Sequence, residues 1–405
     1  MASADAYADE PWGHRHLPNF IVRSKEPFNA EACPDRLVDS FITPTEQHFR
    51  RNHGPIPNID AQAWSMSIEI NAESSSVAKV KRTLRLDDLS KLPQFEVVAV
   101  LECAGNRRDG LKAIKPVNGV TWGAGTASNA RWGGCRLRDV LAAAGVPAHL
   151  CDPFYANPRH VEFAAYGEVT DDEQYASSIP LEWAMNPLNM VLVATEMNGM
   201  PLLRDHGFPA RIVAPGIIGA RWVKWLKYIR VQDRESDGYY QQRDYKILPP
   251  IAGASNCEEF WPRFPALMEM NIQSAICRPT ADECLQIGRP YRVRGYALTG
   301  GGRAVDRVEV SLDGGRTWNL ADMYTMQTKA DSRSGQRDWT AKHWAWVLWS
   351  FRIESVPPNC TIACRAWDSG GNTQPSAAVW NYRGVMNNSV FHVHPPTTGS
   401  APSRL

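Results

Sequence analysis

Glu96-Val97-Val98-Ala99-Val100-Leu101 runs directly into Glu102-Cys103-Ala104-Gly105-Asn106-Arg107-Arg108. The first six residues form a β-branched, nearly continuous apolar run, the pattern of a buried strand. The next seven, with a glycine and two arginines, read as a turn that leaves the sheet. A thiol is thereby delivered from a rigid strand to a turn. Two cations beside it favour the thiolate, the form that binds metals. A single cysteine cannot make a zinc site, and no neighbouring Cys or His completes one at the usual spacing. Read alone, Cys103 suits a nucleophile, a redox thiol, or one ligand among non-protein ligands. A buried inert cysteine is the bland alternative.

Working outward, residues 1–37 show no clear period and read as an N-terminal arm, with regular structure expected from near Ser40. Short strand-like runs then mix with short helices to about residue 265. Leu137, Val140, Leu141 and Ala144 follow helical spacing, and Gly145 is a plausible stop. Arg211-Ile212-Val213-Ala214 reads as a strand broken by Pro215-Gly216. From about residue 266 alternation dominates. Val305, Val308, Val310 and Leu312 lead into the hairpin-like turn Asp313-Gly314-Gly315. Residues 291–296, 344–351 and 361–367 are further strand candidates, and regular short strands suggest a β-sandwich. The expected class is α+β: a mixed α/β domain over 38–265, an all-β domain over 266–395 and a tail over 396–405. Residues 325–338 are polar and read as a loop.

The bulk numbers exclude several classes. A length of 405 residues suggests about two or three domains. A formal net charge of +1 argues against a general nucleic-acid binder, whose phosphate contacts need a basic excess. No apolar run is long enough to span a bilayer. Nine cysteines, an odd number without a CxxC pair, fit a reducing compartment better than a disulfide framework. Cys360 and Cys364 are expected to be buried apolar cysteines. The chain closes on Ser403-Arg404-Leu405, similar to the Ser-Lys-Leu peroxisomal address.

Three segments change the odds on Cys103. Arg50-Arg51-Asn52-His53-Gly54-Pro55 sets cations and a histidine beside a rigid turn, and Arg204-Asp205-His206-Gly207-Phe208-Pro209-Ala210-Arg211 does likewise. Gly219-Ala220-Arg221-Trp222-Val223-Lys224-Trp225 adds Arg and Lys after flexible glycines. Glycine-turn amides together with Arg and Lys suit a phosphate-bearing ligand. Taken together, the segments imply a bound anionic cofactor plus a small anion.

Residues 101–108 resemble the signature around the molybdenum-ligating cysteine of the sulfite oxidase family. Residues 49–55, 204–209, 216–224, 300–303, 311–318 and 380–385 are similar to further family segments, so the resemblance covers about residues 38–395. It implies a molybdopterin-binding domain followed by an immunoglobulin-like sandwich that forms a homodimer. It also implies a molybdenum–molybdopterin cofactor with Cys103 as the protein's metal ligand, and neither haem nor flavin. Phe49, Arg50, Arg51, Asn52, His53, His206, Arg211, Trp222, Val223 and Lys224 match the family's cofactor-binding positions. Arg51, Arg108 and Arg383 match three arginines that converge on the substrate oxyanion, for which a permanently charged planar fork is suited. Trp122 matches a pocket-wall aromatic, and Tyr245 a tyrosine whose hydroxyl reaches the substrate. One position departs from the pattern: where relatives carry an Asp after His160-Val161-Glu162-Phe163, this chain has Gly167, with Glu168 next. Either Glu168 takes over or a pterin contact is lost.

The activity implied is oxidation of sulfite to sulfate, with electrons passed to molecular oxygen or to an external acceptor. Nitrate reduction is the first alternative. It usually needs appended haem and flavin domains, and nitrate-reducing relatives replace the tyrosine and the C-terminal arginine that Tyr245 and Arg383 supply here. Met386-Asn387-Asn388 points somewhat the other way. An inactive dimeric scaffold of the same fold is the second alternative, and the intact Cys103 and arginine set speak against it.

Overall fold

The structure is a computed structural model that describes residues 4–11, 20–71, 81–147, 159–326 and 341–399. The strand expected over residues 96–101 is present as Gln94–Glu102. It pairs antiparallel with Ala127–Arg136, which pairs in turn with Leu192–Met197, and both Met200–Pro201 and Arg211–Val213 add to the last of these. A second sheet runs Lys81–Leu84, Met66–Asn71, Leu226–Gln232, His160–Ala165, Ala176–Pro180. Its centre contains one parallel pair, Leu226–Gln232 beside Met66–Asn71. Apolar residues of both sheets share one core, in which Ile68, Ala130, Trp132, Phe163 and Ile212 are fully buried. The helix Leu137–Ala143 packs Leu137, Val140 and Leu141 into that core and ends at Gly145, whose φ of 86° suits a residue without Cβ.

The C-terminal part is all-β, as the alternation predicts. One four-stranded antiparallel sheet runs Gln273–Arg278, Tyr291–Leu298, Val347–Ile353, Asp322–Tyr324. The facing sheet runs Asn319–Leu320, Val305–Ser311, Ile362–Asp368, Phe391–Val393. Inward residues such as Val293, Val308, Val310, Ile362 and Cys364 fill the space between them. Cys360 and Cys364 are both buried and free, in keeping with an apolar role. Most of the polar stretch 325–338, together with Cys151 and the terminal tripeptide, lies outside the described residues.

Regular structure begins earlier than the sequence suggests. Phe20–Ser24 and Asn29–Ala32 form a hairpin, and Pro34–Leu37 is a short helix. All four residues of the second strand are buried. Its polar members explain why no period shows: Glu31 accepts from the amides of Gly123 and Gly125, and Asn29 accepts from the amide of Asn52. These side chains satisfy backbone donors next to the cysteine turn, so they are buried although polar.

The two parts meet around that turn. Met386 N–H donates to Ala104 C=O at 2.7 Å, and Val100 N–H donates to Trp344 C=O at 2.9 Å. Tyr296, from the sandwich, donates its hydroxyl to Ala124 C=O at 2.9 Å and accepts from Asn106 Nδ2 at 2.9 Å. Asn106 also donates to Glu102 and accepts from Thr126, which closes the turn that carries Cys103. Tyr296→Phe strands the Ala124 carbonyl in a fully buried junction. It is expected to cost about 1–3 kcal/mol, read as a lower denaturant midpoint at unchanged m-value.

Candidate active site

Cys103 follows the end of its strand, anchored by Cys103 N–H to Thr126 C=O at 3.0 Å. Its Sγ accepts from Gly105 N–H at 3.4 Å. The two arginines next in sequence part company. Arg107 has a φ of 60°, and this left-handed turn sends consecutive side chains in different directions. Its guanidinium reaches into the sandwich, toward Ser274 C=O, Ser389 Oγ and the Phe391 ring. Arg108 alone stays with the thiol. The expectation of two cations beside Cys103 is therefore corrected to one from this turn, joined by Arg51 from a distant loop.

Arg108 is held by two carbonyls: Nε donates to Gly384 at 3.0 Å and Nη1 to Val120 at 2.6 Å. Burial lowers its pKa, the Cys103 sulfur opposes that, and the neighbouring Arg383 and Arg51 charges lower it further. The three arginines are thus electrostatic neighbours at the cysteine. Arg383 pairs with Asp244 at 2.7 Å, with both side chains about nine-tenths buried at 11% and 6% exposure. Asp244 adjoins Tyr245. Burial raises the Asp244 carboxyl above its usual range, and Arg383 pulls it back.

Arg51 and Tyr245 are linked through His53. Arg51 Nη2 lies 3.2 Å from His53 Nδ1, and His53 Nε2 lies 2.8 Å from Tyr245 Oη. Burial holds His53 well below its usual pKa, and Arg51, Arg383, Lys224 and Arg108 add to that, so the ring is neutral. A guanidinium only donates, so Nδ1 accepts and the single ring proton sits on Nε2. His53 then donates to Tyr245 Oη, which leaves the tyrosine's own hydrogen free to point elsewhere. Burial raises the Tyr245 pKa, so that hydrogen is retained at neutral pH.

A cavity opens from this point, with about 840 Å³ of space not filled by atoms, counting its open mouth. Cys103, Arg51, Phe49, Asn52, His53 and Tyr245 line one part of it, and His206, Arg211, Trp222, Val223 and Lys224 another. Arg50, Arg108, Arg383 and Trp122 are not among its lining residues. Arg50 is wholly buried, donates to the Glu46 and His48 carbonyls and lies over Phe20. Trp122 is wholly buried beside Gly105, and its Nε1 has no partner among the described residues. Lys224 Nζ donates to the carbonyls of Arg51 and Asp205 and to Asn52 Oδ1, tying the loops at 51 and 205 together.

Arg211 tests whether these residues fit a phosphate-bearing cofactor. Its guanidinium is buried, donates only to carbonyls and meets no carboxylate among the described residues. Burial alone pushes it down to about 9. An uncompensated buried cation is costly, and a phosphate anion would supply the missing charge. The donor set fits as well, since one soft sulfur without a second protein thiolate suits a metal held mainly by non-protein sulfur. Gly167 stands at φ 95° against Pro57, and the Glu168 that follows lines the cavity. A Cβ at Gly54 would sit 2.1 Å from the Glu168 carbonyl oxygen, so that wall closes only against glycine.

Four residues of this region escaped the sequence reading: His48, Tyr175, Asp205 and Asp244. Only adjacency to Phe49, His206 and Tyr245 pointed to three of them. Tyr175 had no signal, because its place beside His53 and Tyr240 arises from the fold.

A strand-delivered cysteine at a cationic cavity, backed by a β-sandwich, defines a molybdopterin-binding oxidoreductase. Residues 53–240 match the oxidoreductase molybdopterin binding domain, and residues 265–396 match the Mo-co oxidoreductase dimerisation domain. The chain belongs to the sulfite oxidase family. It is 41% identical over 398 residues to the mitochondrial sulfite oxidase of Homo sapiens, covering 97% of this chain and 68% of that one. It is 40% identical over 399 residues to the sulfite oxidase of Arabidopsis thaliana, covering 96% and 95%. The fold is shared with the sulfane dehydrogenase of Paracoccus pantotrophus at a TM-score of 0.73 and 23% identity, over 96% of this chain and 91% of that one.

Proposed function

We propose that this protein oxidises sulfite to sulfate at a molybdenum–molybdopterin centre held by Cys103. The observation that carries the reading is that Cys103, Arg51 and Tyr245 line one cavity, with Arg108 acting on the sulfur and the Arg383–Asp244 pair beside Arg108 and Tyr245. When bound, the cofactor supplies the two-electron redox couple and the oxygen atom. The chain does the rest. Arg211 and Lys224 would neutralise the cofactor phosphate, with Phe49, Asn52, His206, Trp222 and Val223 enclosing the pterin. Arg51, Arg108 and Arg383 would hold the sulfite dianion and orient its sulfur, the positioning and electrostatic share of the work. Tyr245, oriented by His53, would donate its hydroxyl hydrogen to a substrate oxygen. Trp122 would back the pocket from behind Gly105. Arg50 would act by supporting the 46–48 loop through the Glu46 and His48 carbonyls. Tyr245 and Arg383 together favour sulfite over nitrate.

Electrons would pass to molecular oxygen, forming hydrogen peroxide, with an external acceptor as the second reading. The protein would need neither haem nor flavin, would dimerise through the sandwich domain, and would act in the peroxisome. No described helix is long and apolar enough to cross a membrane. The test is sulfite-dependent oxygen uptake by the purified, molybdenum-replete protein. Uptake with peroxide supports the reading in full. Sulfite turnover only with an artificial acceptor would replace oxygen by an external acceptor. Absence of turnover with either would overturn the sulfite assignment. Deleting Ser403-Arg404-Leu405 is expected to leave a tagged protein in the cytosol, and unchanged peroxisomal import would refute the address.

A further inference from the structure

His48 lines the cavity but plays no part in the site as described so far. Its side chain is wholly buried, stacked on Phe49 with centroids 5.2 Å apart. It meets His206 edge-on at 5.0 Å and Trp132 edge-on at 5.8 Å. Four faces of its environment are therefore fixed by Phe49, His206, Trp132 and the cavity. The charged groups around it are all cationic: Arg211, Arg50 and Lys224. Burial pushes its pKa down to about 3 and these cations add to that, so the ring is neutral.

The tautomer follows from hydrogen bonding. Nδ1 lies 3.2 Å from the Phe49 carbonyl oxygen, which only accepts, so Nδ1 carries the proton. Nε2 is then a bare acceptor, and it has no partner among the described residues. A buried acceptor without a donor is costly, so an acceptor left unmet beside a cavity calls for a donor from outside the chain. The cations around it are engaged elsewhere: Arg211 and Lys224 direct their N–H groups to carbonyl and amide oxygens, and Arg50 donates to the Glu46 and His48 carbonyls.

We propose that His48 is a cofactor-recognition residue, whose Nε2 accepts a hydrogen bond from an N–H of the bound pterin. The inference rests on the molybdopterin reading of the cavity. A phosphate, being an acceptor only, cannot satisfy Nε2; a reduced pterin, rich in ring and amino N–H groups, can. His48 thus reads the heterocycle while Arg211 and Lys224 meet the charged end.

The experiment compares cofactor retention in the holoprotein and two variants. His48→Phe keeps an aromatic ring on Phe49 and removes the acceptor; His48→Gln restores an acceptor oxygen. Pterin is followed by the fluorescence of its oxidised form, and molybdenum by elemental analysis, as each protein is dialysed. Loss of one hydrogen bond from a buried acceptor predicts about tenfold faster pterin release from His48→Phe. His48→Gln should release it at close to the unsubstituted rate. Apo-protein melting temperatures, expected to be equal, separate this from a folding defect. Unchanged release from His48→Phe would overturn the proposal, as would equally fast release from both variants. Pterin retained without sulfite turnover would refute the proposed substrate and leave His48 standing. Purified protein that takes up no pterin would refute both.

Discussion

Cys103→Ser is expected to abolish sulfite oxidation while leaving the fold in place. The substitution is nearly isosteric, a serine oxygen can still accept from Gly105 N–H as the sulfur does, and the other bonds that shape the turn do not use the sulfur. Cys103 N–H to Thr126 C=O, Asn106 N–H to Cys103 C=O and the Asn106–Tyr296 bond all remain available. What disappears is the soft sulfur donor. A hydroxyl holds its proton at neutral pH and is a hard ligand, so it does not replace sulfur at a molybdenum centre. Loss of the ligand is expected to lower turnover at least about a thousandfold, equivalent to ~4 kcal/mol of transition-state stabilisation. Steady-state sulfite oxidation, with circular dichroism and pterin content alongside, checks it. Retained turnover would remove Cys103 from the metal.

Arg383→Met is the second large effect, and it has two separable parts. In the pocket, one of the three cations proposed to hold the substrate dianion is lost, and the Michaelis constant for sulfite is expected to rise at least about tenfold, as for a lost charge-assisted hydrogen bond. In the fold, the buried Asp244 loses its partner at 2.7 Å. Breaking a buried pair from one side costs about 3–5 kcal/mol, because the remaining charge is uncompensated. The sign with pH follows from the Asp244 pKa, which already lies above its unfolded value. Such a group contributes most below the unfolded carboxylate pKa, and the contribution is lost as pH rises through the folded one. Without Arg383 the folded pKa rises further, so the variant should lose stability more steeply than the parent as pH rises from acid to neutral. Adding Asp244→Asn should restore stability without restoring the Michaelis constant. An unchanged Michaelis constant in the single variant would take Arg383 out of the pocket.

The two substitutions probe different halves of the molecule, and the reason lies in the junction. Cys103 sits at the mouth of the first domain's sheet, whereas Arg383 comes from a loop beyond the last long strand of the sandwich. Gly384 C=O accepts from Arg108, and Asn381 Oδ1 and Nδ2 fold that loop back on Val385. The sandwich therefore holds Arg108 beside the cysteine turn, besides matching a dimerisation domain.

The local elements could be read directly from residue order. The strand Gln94–Glu102, the helix Leu137–Ala143 with its stop at Gly145, and the alternating strands beyond residue 266 all follow from side-chain periodicity, a property of neighbouring residues. The family signature at residues 101–108 is local in the same sense. Tertiary structure decided what depends on residues far apart in the chain. Local order could not tell that Arg107 turns away from the thiol while Arg108 stays, because the left-handed turn between them is held by contacts from the sandwich. Nor could it show that the polar strand Asn29–Ala32 is buried, since its partners lie at residues 50–52 and 123–125. The tautomer of His53 is fixed by Arg51 on one nitrogen and by Tyr245, 192 residues away, on the other. Hydrophobic periodicity reports which side of an element faces inward. Only the packed chain determines which charge, proton or lone pair meets which, and at this site those meetings carry the chemistry.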